Sequence, residues 1–252
     1  MKQGQKKKRF GAQWLAAAGV ASVGLVAGPG MAQQQEPNRF LAFPCDGDIA
    51  SAALGILSEH RQALEGAVAG DGGAQDVKKQ LASMRKADQD IRFLVRGLMQ
   101  RCAGKLDGSK MRYVMASGRT IDQVNIDALK QIIKSSGWPT ISKYGEAADQ
   151  SAFLVAQHAD RQPQFQREVL AILEKELAAR ETSGENYALL FDRVSLASGK
   201  PQRFGSQGTC DGNQWVTRPV EDAKRVDDLR RSVGLEPMAE YEAKVRAMVC
   251  GG

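Results

Sequence analysis

Residues 74–102 decide the fold, and they read AQDVKKQLASMRKADQDIRFLVRGLMQRC. Apolar residues recur along this stretch in alternating steps of four and three, which is the spacing of one face of an α-helix. That face consists of Val77, Leu81, Met84, Ile91, Val95, Leu98 and Cys102. The stretch therefore predicts a long amphipathic helix that begins after a glycine-rich break and ends at Cys102.

One position of this apolar face carries a charge. Asp88 stands where the series requires an apolar residue. A buried carboxylate is costly unless it is paired, hydrogen-bonded or shifted in pKa. Arg85 and Arg92, at i−3 and i+4, lie within its reach on a helix. Two interpretations follow: Asp88 belongs to a structural ion pair, or it lines an internal pocket.

Helical patterns flank this stretch on both sides. Before it, an acidic cap and an apolar stripe predict a helix over about 46–68. After it, residues 104–117 are expected to be a connector, and a helix over about 120–137 ends at a glycine. A further helix over about 142–158 is apolar nearly all round.

The C-terminal third continues in the same way. Pro163 starts an amphipathic helix, and a shorter helix follows Gly184. Residues 202–218 contain short, polar, partly β-like runs around an Asp-Gly-Asn turn, which suggests a small hairpin or irregular flap. Two last helices are expected over about 221–233 and 237–249.

The predicted fold class is therefore mainly α. We expect an orthogonal or antiparallel array of about seven helices with a small β-hairpin or irregular flap near residues 202–218. The 252 residues divide into a signal peptide over 1–32, a flexible segment over 33–45 and a single helical domain over 46–252.

The first 32 residues have the composition of an export signal. A basic start, made of Lys2, Lys6, Lys7, Lys8 and Arg9, precedes an apolar run from Trp14 to Ala27. Small residues then supply a cleavage site after Ala32. An uncleaved anchor is the alternative, but a bilayer span needs about 20 apolar residues, more than this run provides. The mature chain is expected to be periplasmic or secreted, without a membrane span.

The charge balance argues against nucleic acid as a partner. The chain has 35 basic and 29 acidic residues. Five basic residues and no acidic one lie in the leader, so the mature chain carries 30 basic against 29 acidic residues. A nucleic-acid-binding domain needs a clustered basic face. We therefore expect no nucleic acid partner.

All four cysteines lie beyond the predicted leader, and an even count in an oxidising compartment favours disulfides. Three pairings are possible. We favour Cys45–Cys102, because Cys45 precedes one predicted helix and Cys102 ends the next, and these points meet in an antiparallel hairpin. Cys210–Cys250 then ties the C-terminal helix to a loop. No pair has the C-x-x-C spacing of a zinc site, and we expect no metal and no cofactor.

Polar residues that could take part in acid–base chemistry or bind a ligand are concentrated between Gly137 and Gln207. His158 is the leading candidate, because imidazole titrates near neutral pH. Asp160 follows two residues later at a helix end, where the two side chains can converge. His60, the only other histidine, falls within an apolar stripe and is expected to be structural.

Several motifs in this order resemble a bacterial family known as domain of unknown function 6624. The resemblance covers about Ala74 to Tyr241. Its motifs are Asp88-Gln89, Gly137-Trp138-Pro139-Thr140, Gln157-His158-Ala159-Asp160, Asp192-Arg193-Val194 and Phe204-Gly205-Ser206-Gln207, with Asp122, Asn125 and Gln202 between them. Phe204 and Ser206 depart from the family pattern, where Tyr and Thr are usual. The resemblance implies a recurring set that comprises Asp88, Arg92, His158, Asp160, Arg193, Gln202 and Gln207.

Two hypotheses of different classes remain. In the first, the protein binds a small molecule and acts as an enzyme, with His158, Asp160 and Asp88 as catalytic residues. The ligand-binding residues would be Arg92, Arg193, Gln202 and Gln207. In the second, the protein is a non-catalytic helical interaction or structural module of the cell envelope, and the same residues form buried networks. The partner is an unknown small molecule or protein, and no motif specifies a reaction.

Overall fold

The computed structural model describes residues 39–68, 73–102 and 106–250, and its fold is mainly α as predicted. The predicted signal peptide, and residues 33–38 of the predicted flexible segment, lie outside the described residues. Residues 39–42 form a 3-10 turn that contacts the long helix of residues 74–101. Phe40 is only 5% exposed, so this part of the N-terminal segment is packed onto the domain.

Nine α-helices occur among the described residues. They are α1 (Ile49–Val68), α2 (Ala74–Arg101), α3 (Gly108–Ser136), α4 (Ile141–Tyr144), α5 (Glu146–Gln157), α6 (Pro163–Ala178), α7 (Gly184–Ala197), α8 (Val226–Ser232) and α9 (Met238–Val245). A π-helical turn at Arg246–Cys250 follows α9. Two antiparallel strands, β1 (Gly208–Asp211) and β2 (Gln214–Thr217), form the hairpin predicted near residues 202–218.

The expected connector over residues 104–117 is wrong in its extent. The structure continues the helix back to Gly108, where the Asp107 side chain accepts a hydrogen bond from Ser109 N at 2.8 Å. Such a cap satisfies one of the first free N–H groups of a helix. Two glycines lower the local helix propensity, but Val114 and Ile121 are buried, and their packing outweighs that loss.

Helix α2 runs through both apolar cores of the domain. Its first half packs into one core with α5, α6 and α7, and its second half packs into another core with α1 and the start of α3. The first core takes Val77, Leu81 and Met84 from α2, and the second takes Ala87, Ile91, Leu94 and Leu98. Asp88 therefore lies where the two cores meet.

Both predicted disulfides are confirmed. Cys45 pairs with Cys102, which fastens the start of α1 to the end of α2. Cys210 pairs with Cys250, which fastens β1 to the last turn of the described chain. The second bond, together with contacts from α9, holds the hairpin against the C-terminal helices.

Of the last two helices, the first is shorter than predicted, and the second has the predicted extent but ends in the π-helical turn at Arg246–Cys250. Helix α8 covers Val226–Ser232 in place of 221–233, and α9 covers Met238–Val245 of the predicted 237–249. Within the described ranges, no helix is long and apolar enough to cross a membrane.

Candidate functional site

A polar layer lies at the junction of the two apolar cores. Asp88 and Arg92 come from α2, Asp122 comes from α3, and His158 caps the C-terminal end of α5. The side chain of Asp88 is 0% exposed and that of His158 is 3% exposed. Residues that are 66 and 70 positions apart in sequence thus meet in the interior.

The centre of this layer is a pair formed by Asp88 and His158. Asp88 Oδ1 lies 2.6 Å from His158 Nδ1, and Arg92 Nε donates to the same oxygen at 3.1 Å. Gln89 Nε2 donates to Asp88 Oδ2 at 2.7 Å. Two of the predicted catalytic residues, Asp88 and His158, are therefore in direct contact. Of the two arginines within reach of Asp88, Arg92 bonds to it, whereas Arg85 donates to Gln150.

The geometry sets the tautomer of His158. An ionised carboxylate only accepts hydrogen bonds, so Nδ1 must carry the proton that bridges the 2.6 Å contact. Arg92 Nε also lies 3.1 Å from Nδ1, but a protonated Nδ1 has no lone pair with which to accept a hydrogen bond from Arg92. Nε2 is then the free acceptor of the ring. It is buried and has no hydrogen-bond partner among the described residues.

The electrostatics keep the imidazole neutral and the carboxylate charged. Burial, helped by the positive charges of Arg92 and Arg193, lowers the pKa of His158 below its usual range. Burial opposes the charge on Asp88, but the neighbouring His158 and Arg92 outweigh it and lower the pKa of Asp88 to about 2. A neutral histidine oriented by an ionised aspartate presents an unprotonated Nε2 that can accept a proton.

Asp122, which was not among the predicted site residues, completes the layer. Arg92 Nη2 donates to its Oδ1 at 2.7 Å, so one guanidinium bridges the carboxylates of Asp88 and Asp122. Burial is the main cause that raises the pKa of Asp122 to about 6. Arg92 lowers this pKa, and the negative charges of Asp88 and Asp160 raise it. Arg92, predicted to bind a ligand, is occupied by these two carboxylates.

Asp160 bonds to Arg193 and not to His158. Arg193 Nη1, on α7, donates to both Asp160 oxygens at 2.8 and 3.0 Å. Gln166 Nε2 approaches Asp160 Oδ1 at 3.2 Å and Gln157 O at 3.0 Å, so it holds the turn after α5. Arg193 Nε is buried and has no partner among the described residues. The pair adjoins the layer, since the Arg193 charge acts on His158.

The predicted flap is tied down, and its glutamines form internal bonds. Gln202 is fully buried; its Nε2 donates to Gln207 O and Arg218 O at 2.9 and 2.8 Å, and its Oε1 accepts from Gln207 N. Asp192 accepts from the backbone N–H groups of residues 203, 204 and 206. The Gln207 side chain donates to Ser206 Oγ at 3.1 Å. Gln202 therefore fixes this loop, and its polar atoms are not available to a ligand.

His60 has the structural role expected of it. Its side chain lies in the interior between α1 and α2, and Nδ1 is 2.9 Å from Ser83 Oγ. Asn125, which donates to Met84 O, interacts with its ring and raises its pKa, but burial dominates and lowers that pKa overall. Nε2 of His60, like Nε2 of His158, is buried without a partner among the described residues, but Nδ1 of His60 contacts a hydroxyl and not a carboxylate. His60 therefore serves as an internal control for the Asp88 contact of His158.

The predicted site residues form no metal centre within the described part of the chain, and they do not line the groove near its N-terminal end. Among the described residues, no group of three or more His, Cys, Asp or Glu side chains is arranged to hold a metal ion. A groove of about 400 Å³ lies between residues 40–44 and 51–59. None of the predicted site residues lines it.

The chain belongs to a family of unknown function, DUF6624, which matches residues 75–248. The match begins at the start of α2, so it includes the polar layer and excludes α1. Comparison with curated proteins and with solved structures gave no match. The family agrees with the resemblance carried by the motifs and brings no activity with it.

Proposed function

We propose that this domain binds a small polar molecule at His158 and that the Asp88–His158 pair acts on it as a general base. The observation that carries this proposal is the carboxylate on Nδ1 of His158, because His60 also has a buried Nε2 without a partner but its Nδ1 contacts the Ser83 hydroxyl. Nδ1 of His158 is bound to Asp88 at 2.6 Å, while Nε2 is buried without a partner among the described residues. A buried polar atom left unpaired is unfavourable, by about 1–3 kcal/mol, and a bound group that donates a hydrogen bond to Nε2 would remove that cost.

The division of roles follows from charge. Asp88 holds the ring in the Nδ1–H tautomer and stabilises the imidazolium that forms when Nε2 takes a proton. Arg92 bridges two carboxylates and positions Asp88. Arg193 has an unpartnered buried Nε and supplies positive charge for the ligand. The described side chains include no activated nucleophile beside His158, so the pair is suited to proton abstraction from the ligand or from water.

Access to His158 requires a local movement. Its side chain is only 3% exposed, whereas the Asp160 side chain in the following turn is 41% exposed. Asp160 is thus more exposed than Arg92, Asp122 and Arg193, the other charged side chains of this group at 28%, 24% and 12%. Displacing the turn that contains Asp160 would open a route to Nε2 without disturbing the helices of the core.

The tautomer of His158 tests the base role. Only two histidines occur in the chain, so long-range ¹H–¹⁵N spectra resolve both rings, and a His60→Gln variant assigns them. We expect His158 to show a protonated Nδ1 and an unprotonated Nε2 at pH 7, with a titration midpoint below 6.5. A protonated Nε2 at pH 7 would refute the general-base role.

A binding screen tests the ligand. Thermal-shift measurements with small polar metabolites would compare the wild type with His158→Gln and with His60→Gln as the matched control. We expect stabilising compounds to lose their effect in His158→Gln and to keep it in His60→Gln. Compounds that stabilise the His158→Gln variant as strongly as the wild type would contradict the proposal.

The alternative is a non-catalytic helical module of the cell envelope. It is supported by the extent to which these polar residues bond to one another: Arg92 with two carboxylates, Arg193 with Asp160, and Gln202 with its own loop. The two proposals differ in what they expect of His158→Gln. If the layer is purely structural, the His158→Gln variant should be less stable than the wild type, and no compound should bind the wild type through His158.

We propose that the domain works in the periplasm or outside the cell. Two disulfides support an oxidising compartment, as does the basic and apolar composition of residues 1–32. Expression of the full chain followed by mass measurement of the exported product tests this. We expect a mature protein that begins at residue 33, and a product that keeps its leader in the cytoplasm would contradict it.

A further inference from the structure

We infer that the ligand of the His158 site carries a carboxylate, which takes the place on Arg193 that Asp160 occupies in this structure. This inference rests on the proposed function and adds the chemical class of the ligand. The observations behind it are the geometry of the Arg193–Asp160 pair, its exposure, and the unpaired nitrogens beside it.

Arg193 offers a site for a carboxylate. Its Nη1 lies 2.8 and 3.0 Å from the two oxygens of Asp160, and its side chain is only 12% exposed. Arginine binds planar carboxylates through several N–H groups at once. Here Nη1 alone serves both oxygens, while the buried Nε has no partner. The guanidinium therefore retains an unused N–H donor, and a carboxylate placed differently from that of Asp160 could accept a hydrogen bond from it.

Asp160 can give way at modest cost. Its carboxylate is 41% exposed, so water can replace the hydrogen bonds that it loses when it leaves Arg193. It belongs to the short turn between α5 and α6, so its movement leaves both helices intact. Its remaining tie is the 3.2 Å contact from Gln166, whose amide also donates to Gln157 O and Ala156 O.

Charge favours an exchange of one carboxylate for another. The layer contains the carboxylates of Asp88, Asp122 and Asp160 against the guanidinium groups of Arg92 and Arg193. An added anion would increase the negative excess, whereas an anion that replaces Asp160 on Arg193 leaves the buried charge unchanged. The ligand's reacting group would then lie beside Nε2 of His158.

The experiment compares Asp160→Asn with the wild type, using acetate as the probe and the His158 ring signals as the readout. A competing conformation that leaves the binding-competent state about 10% populated or less weakens affinity at least about tenfold. We therefore expect Asp160→Asn to lower the acetate Kd at least about tenfold. The His60 signals should stay unchanged throughout the titration.

Two further variants separate a specific site from general electrostatics. Asp122→Asn removes the same charge from the same layer without touching Arg193, so its acetate Kd should stay within about twofold of the wild type. The double variant Asp160→Asn with Arg193→Gln should lose the acetate response. Equal gains in Asp122→Asn and Asp160→Asn, or acetate binding that survives the Arg193→Gln change, would overturn the inference.

Inorganic phosphate distinguishes the class of anion. If phosphate binds Asp160→Asn more tightly than acetate, the carboxylate assignment is wrong. The same spectra report the tautomer of His158, so the two proposals fail separately. An unchanged acetate Kd with the Nδ1–H tautomer present refutes the carboxylate site alone, whereas tight acetate binding with a protonated Nε2 supports the site and refutes the general base.

Discussion

Replacing Asp122 by Asn should stabilise the protein at neutral pH and have little effect in acid. The Asp122 side chain is 24% exposed, and burial with the charges of Asp88 and Asp160 raises its pKa from 3.8 to about 6. A carboxyl whose pKa is raised on folding contributes its full stability below pH 3.8 and loses it as the pH rises through about 6. Asparagine is uncharged throughout, so the variant does not show this loss.

The size of the expected stability gain follows from the change in the pKa of Asp122 on folding. A pKa change of about two units corresponds to about 3 kcal/mol between the protonated and ionised states. Partial exposure lets solvent screen the charges, so this figure is an upper limit and we expect about 2 kcal/mol. The asparagine oxygen can still accept from Arg92 Nη2, which keeps the packing of the layer comparable.

Urea denaturation at pH 4, 5, 6 and 7.5, with both disulfides intact, measures the effect. The difference in unfolding free energy between Asp122→Asn and the wild type should grow by about 2 kcal/mol from pH 4 to pH 7.5. Asp127→Asn removes a charge from an exposed position of α3, and its pH-dependent effect is subtracted as a control. A difference that is constant with pH, or that shrinks as the pH rises, would refute the position of Asp122 in this cluster.

Three other predictions concern stability. Asp149→Leu leaves the buried donors around that carboxylate unpaired and should cost about 3–5 kcal/mol in urea denaturation, whereas Asp149→Asn should cost less; equal losses would contradict its role as an acceptor. Replacing Cys45 and Cys102 by Ser opens a loop with a sequence separation of 57 and should cost about 4 kcal/mol relative to the oxidised wild type, in which both disulfides are closed. Gly184→Ala would place a methyl group 2.0 Å from Val233 O, so melting measurements should show a loss of about 1–3 kcal/mol, and an unchanged melting temperature would refute this contact.

The apolar period of residues 74–102 identified the spine of the fold. It predicted a helix that the structure gives as Ala74–Arg101, and it marked Asp88 as the one charged member of the buried face. Both results depend on local geometry alone, because residues three and four apart share a helix face. The disulfide Cys45–Cys102 followed from the same reasoning, since helix ends in a hairpin must lie close together.

The start of α3 was lost to the same local reasoning. The Gly- and Lys-containing composition of residues 104–117 suggested a connector, whereas burial of Val114 and Ile121 in the second core stabilises a helix there. Propensity differences of about 1 kcal/mol for a glycine are smaller than the gain from burying two large side chains. Local reasoning likewise did not identify what holds residues 202–207, where Asp192 on α7 accepts hydrogen bonds from three backbone N–H groups.

By itself, the sequence determined the helical class, the long central helix, the disulfide pairs and the candidacy of Asp88 and His158. Only the tertiary structure decided which charges meet: Asp122 joins Arg92, and Asp160 turns to Arg193 and leaves Nε2 of His158 unpaired. The physical reason is that periodicity specifies the face of a helix on which a side chain lies. Its partner depends on how α2, α3, α5 and α7 pack around the junction of two cores, and that packing is set by contacts between residues far apart in the chain.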